Sequence, residues 1–171
     1  GDNVLAVIDS IGSSSDGKGK GITAPNVKGQ VIALQRAYEK AGIDPASISM
    51  IEAHGTSTIM GDQAEIQALQ QVFSDPSIPR GSIPIGSIKS QIGHLKSAAG
   101  AAGLLKVVLS LVHRKIPATI NINEVNPKLE IEKSPFFVNT QLRDWEVAEN
   151  SRRRAGLSSF GFGGTNFHVL R

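Results

Sequence analysis

Three times in its first two-thirds the chain passes from a short apolar run through a turn into a segment of helical period, and this alternation limits the fold more than any other feature. "VLAVIDSI" (4–11) reads as a strand, and a Gly/Ser-rich loop follows over 12–26. In the next segment Val31, Ile32, Leu34, Ala37 and Tyr38 recur near helical spacing, with Gly42 placed to cap the C-terminus. A short buried strand then ends at His54, and "GDQAEIQALQQVF" predicts a helix over 61–73. The third unit is the strand "IPIGSIKS" (83–90) and a helix over 97–114, whose many small residues predict a central, buried position. "ATINI", "FFVN", "RRAGLSSF" and "NFHVLR" read as further short strands. The order predicts an α/β layered fold around a sheet with a mixed or antiparallel edge.

A chain of 171 residues can bury roughly 70% of its unfolded surface, so a full core is available. It opens almost directly in a strand, which predicts a cut through a larger fold. No unbroken apolar run reaches the ~18 to 20 residues of a membrane span, predicting a soluble protein without membrane partners. There is no cysteine, so disulfides and thiolate metal sites are excluded, and a cytoplasmic location is expected. The net charge is only +3, and the single dense basic cluster is Arg152, Arg153 and Arg154. With one Trp and one Tyr to stack on bases, this argues against nucleic-acid binding.

Open α/β sheets place their sites at strand ends, and three polar segments stand there: His54 with Thr56 and Thr58, Lys89 to His94, and the loop "GFGGTN" (161–166). Two neutral imidazoles can both donate to one carbonyl oxygen and stabilise the negative charge that develops on it. Forty residues separate His54 from His94, with no cysteine and no close histidine pair, so no metal site is expected. Asp62 and Glu65 have the spacing of a capping box; either can also pair with Lys89. The "GFGGTN" loop runs into a strand rather than a helix, against a phosphate cradle; its glycines Gly161 and Gly163 would let backbone approach an acyl chain, and Phe162 between them can swing or plug the turn. "GTSTI" is a near miss to a serine-hydrolase elbow, with Ile59 where the second glycine belongs.

Taken in order and spacing, "EAHGTSTIMGDQAE", "GSIKSQIGHLKSAAGAAGLLKVVLSL" and "SSFGFGGTNFHVL" resemble the C-terminal half of β-ketoacyl synthases, the condensing enzymes of polyketide and fatty acid synthesis, and the likeness covers nearly all of residues 1–171. The preceding "SSSDGKGKGITAPN" looks like the type I multidomain synthases. The resemblance implies a thiolase-like fold of two similar halves, each on a five-stranded mixed sheet between helices. It also implies a Cys-His-His site in which the cysteine takes an acyl group and a malonyl-type extender on an acyl carrier protein loses CO2 and attacks it. On this likeness His54 and His94 are the two imidazoles, Lys89 and Glu65 their supporting ion pair, Thr56 and Thr58 contacts to the carrier's phosphopantetheine arm, and Phe162 the gate.

Ser57 stands where the signature commonly has glycine, and Gln91 where it commonly has asparagine. The large departure is the nucleophile, which the family carries on an N-terminal half missing from this sequence. The expected partners are therefore a cysteine-bearing N-terminal half, acyl carrier protein and a second copy in a homodimer; no cofactor is expected on the chain, and alone it is expected to be inactive, with a bare apolar face. Two other readings stand beside this one: a non-catalytic carrier-docking or dimerisation module, and a hydrolase using Ser57.

Overall fold

Helix α1 (Val27–Ala41) has, at both ends, residues that suit those ends. Asn26 precedes it in extended conformation and its side chain accepts the Lys28 and Gly29 N–H groups, a cap worth about 1 kcal/mol. Gly42 closes it in the left-handed region, at φ 61°. The computed structural model describes residues 1–18, 21 and 24–171, so 19, 20, 22 and 23 of the expected 12–26 loop lie outside the described residues. The other elements are β1 (Ser10–Ser15), β2 (Met50–Glu52), α2 (Ile59–Val72), β3 (Ile83–Gly86), the short α3 (Lys89–Ile92), α4 (Ala99–His113), β4 (Lys115–Ile116), β5 (Phe136–Val138), β6 (Arg143–Asp144), β7 (Ala155–Gly161) and β8 (Thr165–Leu170).

Six strands form one mixed sheet in the order β1-β8-β7-β2-β3-β5, where five were expected; β5 adds itself in parallel beside β3, Ile83 facing Phe136. β2 is parallel to both β3 and β7, while β7, β8 and β1 run antiparallel in turn. The remaining two strands, β4 and β6, make a separate antiparallel ribbon.

Residue alternation in β2 sends side chains to both faces of the sheet. Ile51 joins Leu34, Tyr38, Leu69, Phe73, Ile85 and Phe136 in the core under α1 and α2. Phe73 meets Tyr38 and Phe136 edge-on at 5.7 and 5.1 Å, each pair adding about 1 kcal/mol to its burial. Met50 points the other way, to Val107 of α4, Ile116, Trp145 and Ala155. Trp145 is buried with its indole N–H donated to Ser49 Oγ at 2.9 Å. One helical layer is thus α1 with α2 and the other is α4.

Several expectations need correction. The first strand begins at Ser10 rather than residue 4: β1 pairs residue for residue with β8, which ends at Leu170, so Val4, Leu5, Val7 and Ile8 find no strand partner among the described residues and are exposed. β3 stops at Gly86, since Ile88 already has helical backbone and opens α3. "ATINI" is not a strand; its backbone is held one group at a time, Thr119 N–H by Asn139 O and Ile120 N–H by Ser90 Oγ. Helix α4 is only half buried. Its Gly103 face lies so close to β7 that a Cβ would stand 2.6 Å from Leu157 Cδ1, but Leu105, Leu109 and Val112 are exposed. By length and composition alone Lys96–His113 reaches what a membrane span needs, despite the expectation from apolar runs; Lys106, paired with Glu52 of β2, fastens it to the sheet instead.

Candidate active site

The first histidine is positioned by a carboxylate eleven residues away. β2 ends at Glu52, the chain leaves the sheet at Ala53, and the backbone N–H groups of His54 and Gly55 both donate to Glu65, to Oε1 at 2.7 Å and Oε2 at 2.9 Å. Glu65 is on the inner face of α2 and buried. A Cβ on Gly55 would stand 2.9 Å from Ser87 Cβ, so glycine lets this loop lie against the one that follows β3. Burial pushes the Glu65 carboxyl up to about 7, against the pull of the Gly55 and His54 amides and of Lys89.

This overturns two expectations. Asp62 and Glu65 do not form a capping box: Thr58 occupies the N-cap position without a side-chain cap bond, and Glu65 serves the His54 loop. Nor do Lys89 and Glu65 form an ion pair; among the described residues Lys89 has no carboxylate within 4 Å. The two are coupled only through the field: burial lowers the Lys89 ammonium's hold on its proton, and Glu52 and Glu65 oppose that without reversing it.

The second histidine comes from the loop after α3, which Gly93 closes at φ 73°. His94 Nδ1 accepts the Lys96 backbone N–H at 3.0 Å, so in the neutral ring the proton sits on Nε2, leaving an N–H donor free. The His54 and His94 rings meet edge-on at 5.8 Å between centroids. Burial first, then Lys89 and His94, hold the His54 imidazole down to about 4, and desolvation with Lys89 and Lys96 lowers His94 in the same direction. Both rings are therefore neutral near pH 7, the state in which an imidazole donates to a developing oxyanion without carrying charge itself.

Lys89, His94, Glu65 and Thr56 border a cleft of about 880 Å³ whose opposite wall is the 119–126 segment. Thr56 Oγ1 lies 3.3 Å from Thr58 Oγ1; Thr58 itself is not on the cleft wall. Gly161 is the last residue of β7, and Phe162 and Gly163 belong to the turn into β8, outside the cleft, with Phe162 88% exposed. The aromatic group that does touch the site is Phe160, 5.7 Å from the His54 ring. Ser57 sits at φ 59° with its hydroxyl bonded to no histidine among the described residues, which gives the hydrolase reading no base. No group of three or more His, Asp or Glu able to hold a metal occurs among the described residues.

Sequence reading missed Glu52, Lys106 and Phe160. A signal was present for the first two: Glu52 is a charge inside an apolar strand, and Lys106 a lone charge inside "AAGLLKVVLSL". A charge at such a position is buried and in need of a partner.

Comparison with known proteins shows the family to which the chain belongs. The family model "Beta-ketoacyl synthase, C-terminal domain" matches residues 5–123, more than half of the chain. One of the subunits of a polyunsaturated fatty acid synthase from Thraustochytrium is 46% identical over 99% of the chain and 6% of its own length. The polyketide synthase PksL of Bacillus subtilis is 44% identical, again over 99% of the chain and 4% of its length. Among solved structures, the ketosynthase from module 6 of the bacillaene synthase of Bacillus subtilis superposes with a TM-score of 0.95 at 44% identity, covering 99% of this chain and 30% of that one. The chain thus spans about a third of a solved ketosynthase and a few per cent of the synthases it matches. By family model, sequence and fold together, it belongs to the β-ketoacyl synthases, through their C-terminal domain.

Proposed function

We propose that residues 1–171 are the C-terminal half of a ketosynthase domain that carries out decarboxylative Claisen condensation in polyketide or fatty acid synthesis. The observation that carries this reading is the pair of neutral imidazoles, His54 and His94, edge-on at 5.8 Å beside Lys89. The chain has no cysteine, so the nucleophile comes from the N-terminal half, for which the bare outer side of α4 and the exposed Val4, Leu5, Val7 and Ile8 offer an apolar face. Alone, the chain is inactive.

In the complete domain the cysteine thiolate displaces the carrier thiol from an acyl thioester. A malonyl-type thioester then loses CO2, and the electron pair left behind becomes an enolate whose oxygen takes hydrogen bonds from His54 and His94. Its carbon attacks the acyl-enzyme, forming a C–C bond as the C–S bond to cysteine breaks. The carrier protein delivers both thioesters on its phosphopantetheine arm; the cleft beside Thr56 has room for such an arm, Thr58 stands next to Thr56, and Phe162 with Gly161 and Gly163 would act as the gate by moving in from the β7–β8 turn, outside the cleft. The full domain works as a cytoplasmic homodimer. A pure docking module would leave the two buried carboxylates and both oriented imidazoles without a task.

The test is CO2 release from malonyl-carrier protein by the complete domain. His54→Ala and His94→Ala should each lower it by about 10²-fold or more, the usual effect of losing one oxyanion donor. Unchanged release in both variants would refute the assignment.

A further inference from the structure

Glu52 plays no part in the scheme above, yet it is 1% exposed and fully committed. Its Oε2 accepts Lys106 Nζ at 2.6 Å and its Oε1 accepts the Ile88 backbone N–H, also at 2.6 Å. Ile88 immediately precedes Lys89, the first residue of α3. Glu52 therefore does for the Lys89–His94 segment what Glu65 does for His54: each buried carboxylate holds the backbone of one half of the site. Glycine at 103 lets α4 come close to β7 and Glu52, and glycine at 86 leaves room for Thr119 beside Lys106. A Cβ on Gly103 would stand 3.3 Å from Glu52 Cγ, and one on Gly86 would stand 2.1 Å from Thr119 Oγ1 and 3.6 Å from Lys106 Nζ. A buried ion pair is a poor device for stability alone, because apolar residues of the same volume usually serve as well or better.

We propose that Glu52 and Lys106 are positioning residues of the condensing site, the pair fixing the Ile88–His94 segment against β2 so that Lys89 and His94 stand in register with His54. This rests on the condensing-enzyme reading. The pair also sets the charge balance at Lys89, which is faced by Glu52 from β2, Lys106 from α4, Glu65 from α2 and the rings of His54 and His94. Glu52 strengthens the hold of Lys89 on its proton and Lys106 weakens it. Loss of the Glu52 charge must therefore loosen the hold of Lys89 on its proton, whereas loss of Lys106 also favours protonation of the buried Glu52 and so acts on Lys89 in two opposing ways.

The experiment uses the complete domain with its nucleophilic cysteine, as Glu52→Gln, Lys106→Met and the double variant. Acyl loading of the cysteine is followed by mass, CO2 release from malonyl-carrier protein as a function of pH, and unfolding by heat. Loading forms no enolate and so leans less on the Lys89–His94 donors. In all three variants kcat for CO2 release should fall at least tenfold more than the loading rate, with KM for the carrier within twofold. The alkaline limb of the pH profile should move down in Glu52→Gln. The double variant buries no lone charge, should unfold near the parent temperature, and decides the matter if the single variants do not fold. Loading and CO2 release falling in parallel, or an alkaline limb that stays put or moves up in Glu52→Gln, would overturn the proposal. A parent domain that releases no CO2 would instead refute the condensing reading, before any variant is made.

Discussion

Glu65→Gln should make the folded protein more stable at alkaline pH while loosening its site. Burial lifts the Glu65 carboxyl to about 7, whereas in the unfolded chain it titrates near 4.5. Between those values the folded state keeps a proton that the unfolded state has released, so this group's contribution falls as pH rises from about 4.5 to 7 and stays low above. A gap of that size corresponds to something on the order of 3 kcal/mol. Glutamine does not titrate. At pH 4.5 the parent and variant both present a neutral side chain to the His54 and Gly55 amides and should unfold at similar urea concentrations; by pH 8 the variant should lead by about that amount. Glutamine has one acceptor oxygen for two amides, so exchange of the His54 and Gly55 N–H groups should quicken and CO2 release should fall. The assay is urea unfolding of the complete domain across pH 4.5–8. A difference that stays flat, or that favours the parent as pH rises, would show that the two amide bonds and Lys89 outweigh burial, and the reasoning would fail.

Ser57 sits at φ 59°, where an L-residue is strained by roughly 1–2 kcal/mol, and it is exposed. Ser57→Gly should raise stability by about 0.5–1 kcal/mol in urea unfolding and leave CO2 release intact; abolished turnover would revive a nucleophilic serine. His168 is buried with Nδ1 on Ser158 Oγ, and burial holds it down to about 3. Its contribution is fully present above pH 6.5 and is lost as pH falls, so the parent should lose about 1.4 kcal/mol per pH unit relative to His168→Asn between 6.5 and 3, read as the gap between their urea midpoints. In Gly12→Ala the new Cβ would meet backbone of α1, 2.1 Å from Ala33 O and 2.5 Å from Ala37 N. Neither atom can step aside without moving the helix, and a loss of about 3 kcal/mol or more should appear as a lowered Tm or insoluble protein.

Much of the scaffold was legible because its signals are local. Asn26 and Gly42 mark the ends of α1, and the period of Val31, Leu34, Ala37 and Tyr38 marks its inner face. What escaped depends on partners distant in the chain. Val4 to Ile8 look as strand-like as Ser10 to Ser15, and only the reach of β8 decides which residues pair. The spacing of Asp62 and Glu65 fits a capping box as well as it fits a clamp on His54; the choice turns on where β2 delivers its last residue. The family resemblance implies a Lys89–Glu65 pair, whereas the buried pair joins Glu52 to Lys106 across 54 residues. The two histidines were legible as a site because each follows a strand of one parallel run, β2 and β3, and neighbouring parallel strands bring their C-terminal ends to the same edge.

The pairing of β1 with β8 also bears on how the protein is made. Ser14 and Asn166, joined by a hydrogen bond, lie 152 positions apart, and β2 in the middle of the sheet needs β7 as a neighbour. A ribosome releasing this chain delivers both histidines long before it delivers the strands that lock them in place. Such non-local pairing slows folding, because loop-closure entropy is spent before the contacts form. Until β7 and β8 emerge, β1 and β2 present open edges, and this interval is when a nascent synthase is most exposed to mispairing with its neighbours on a polysome.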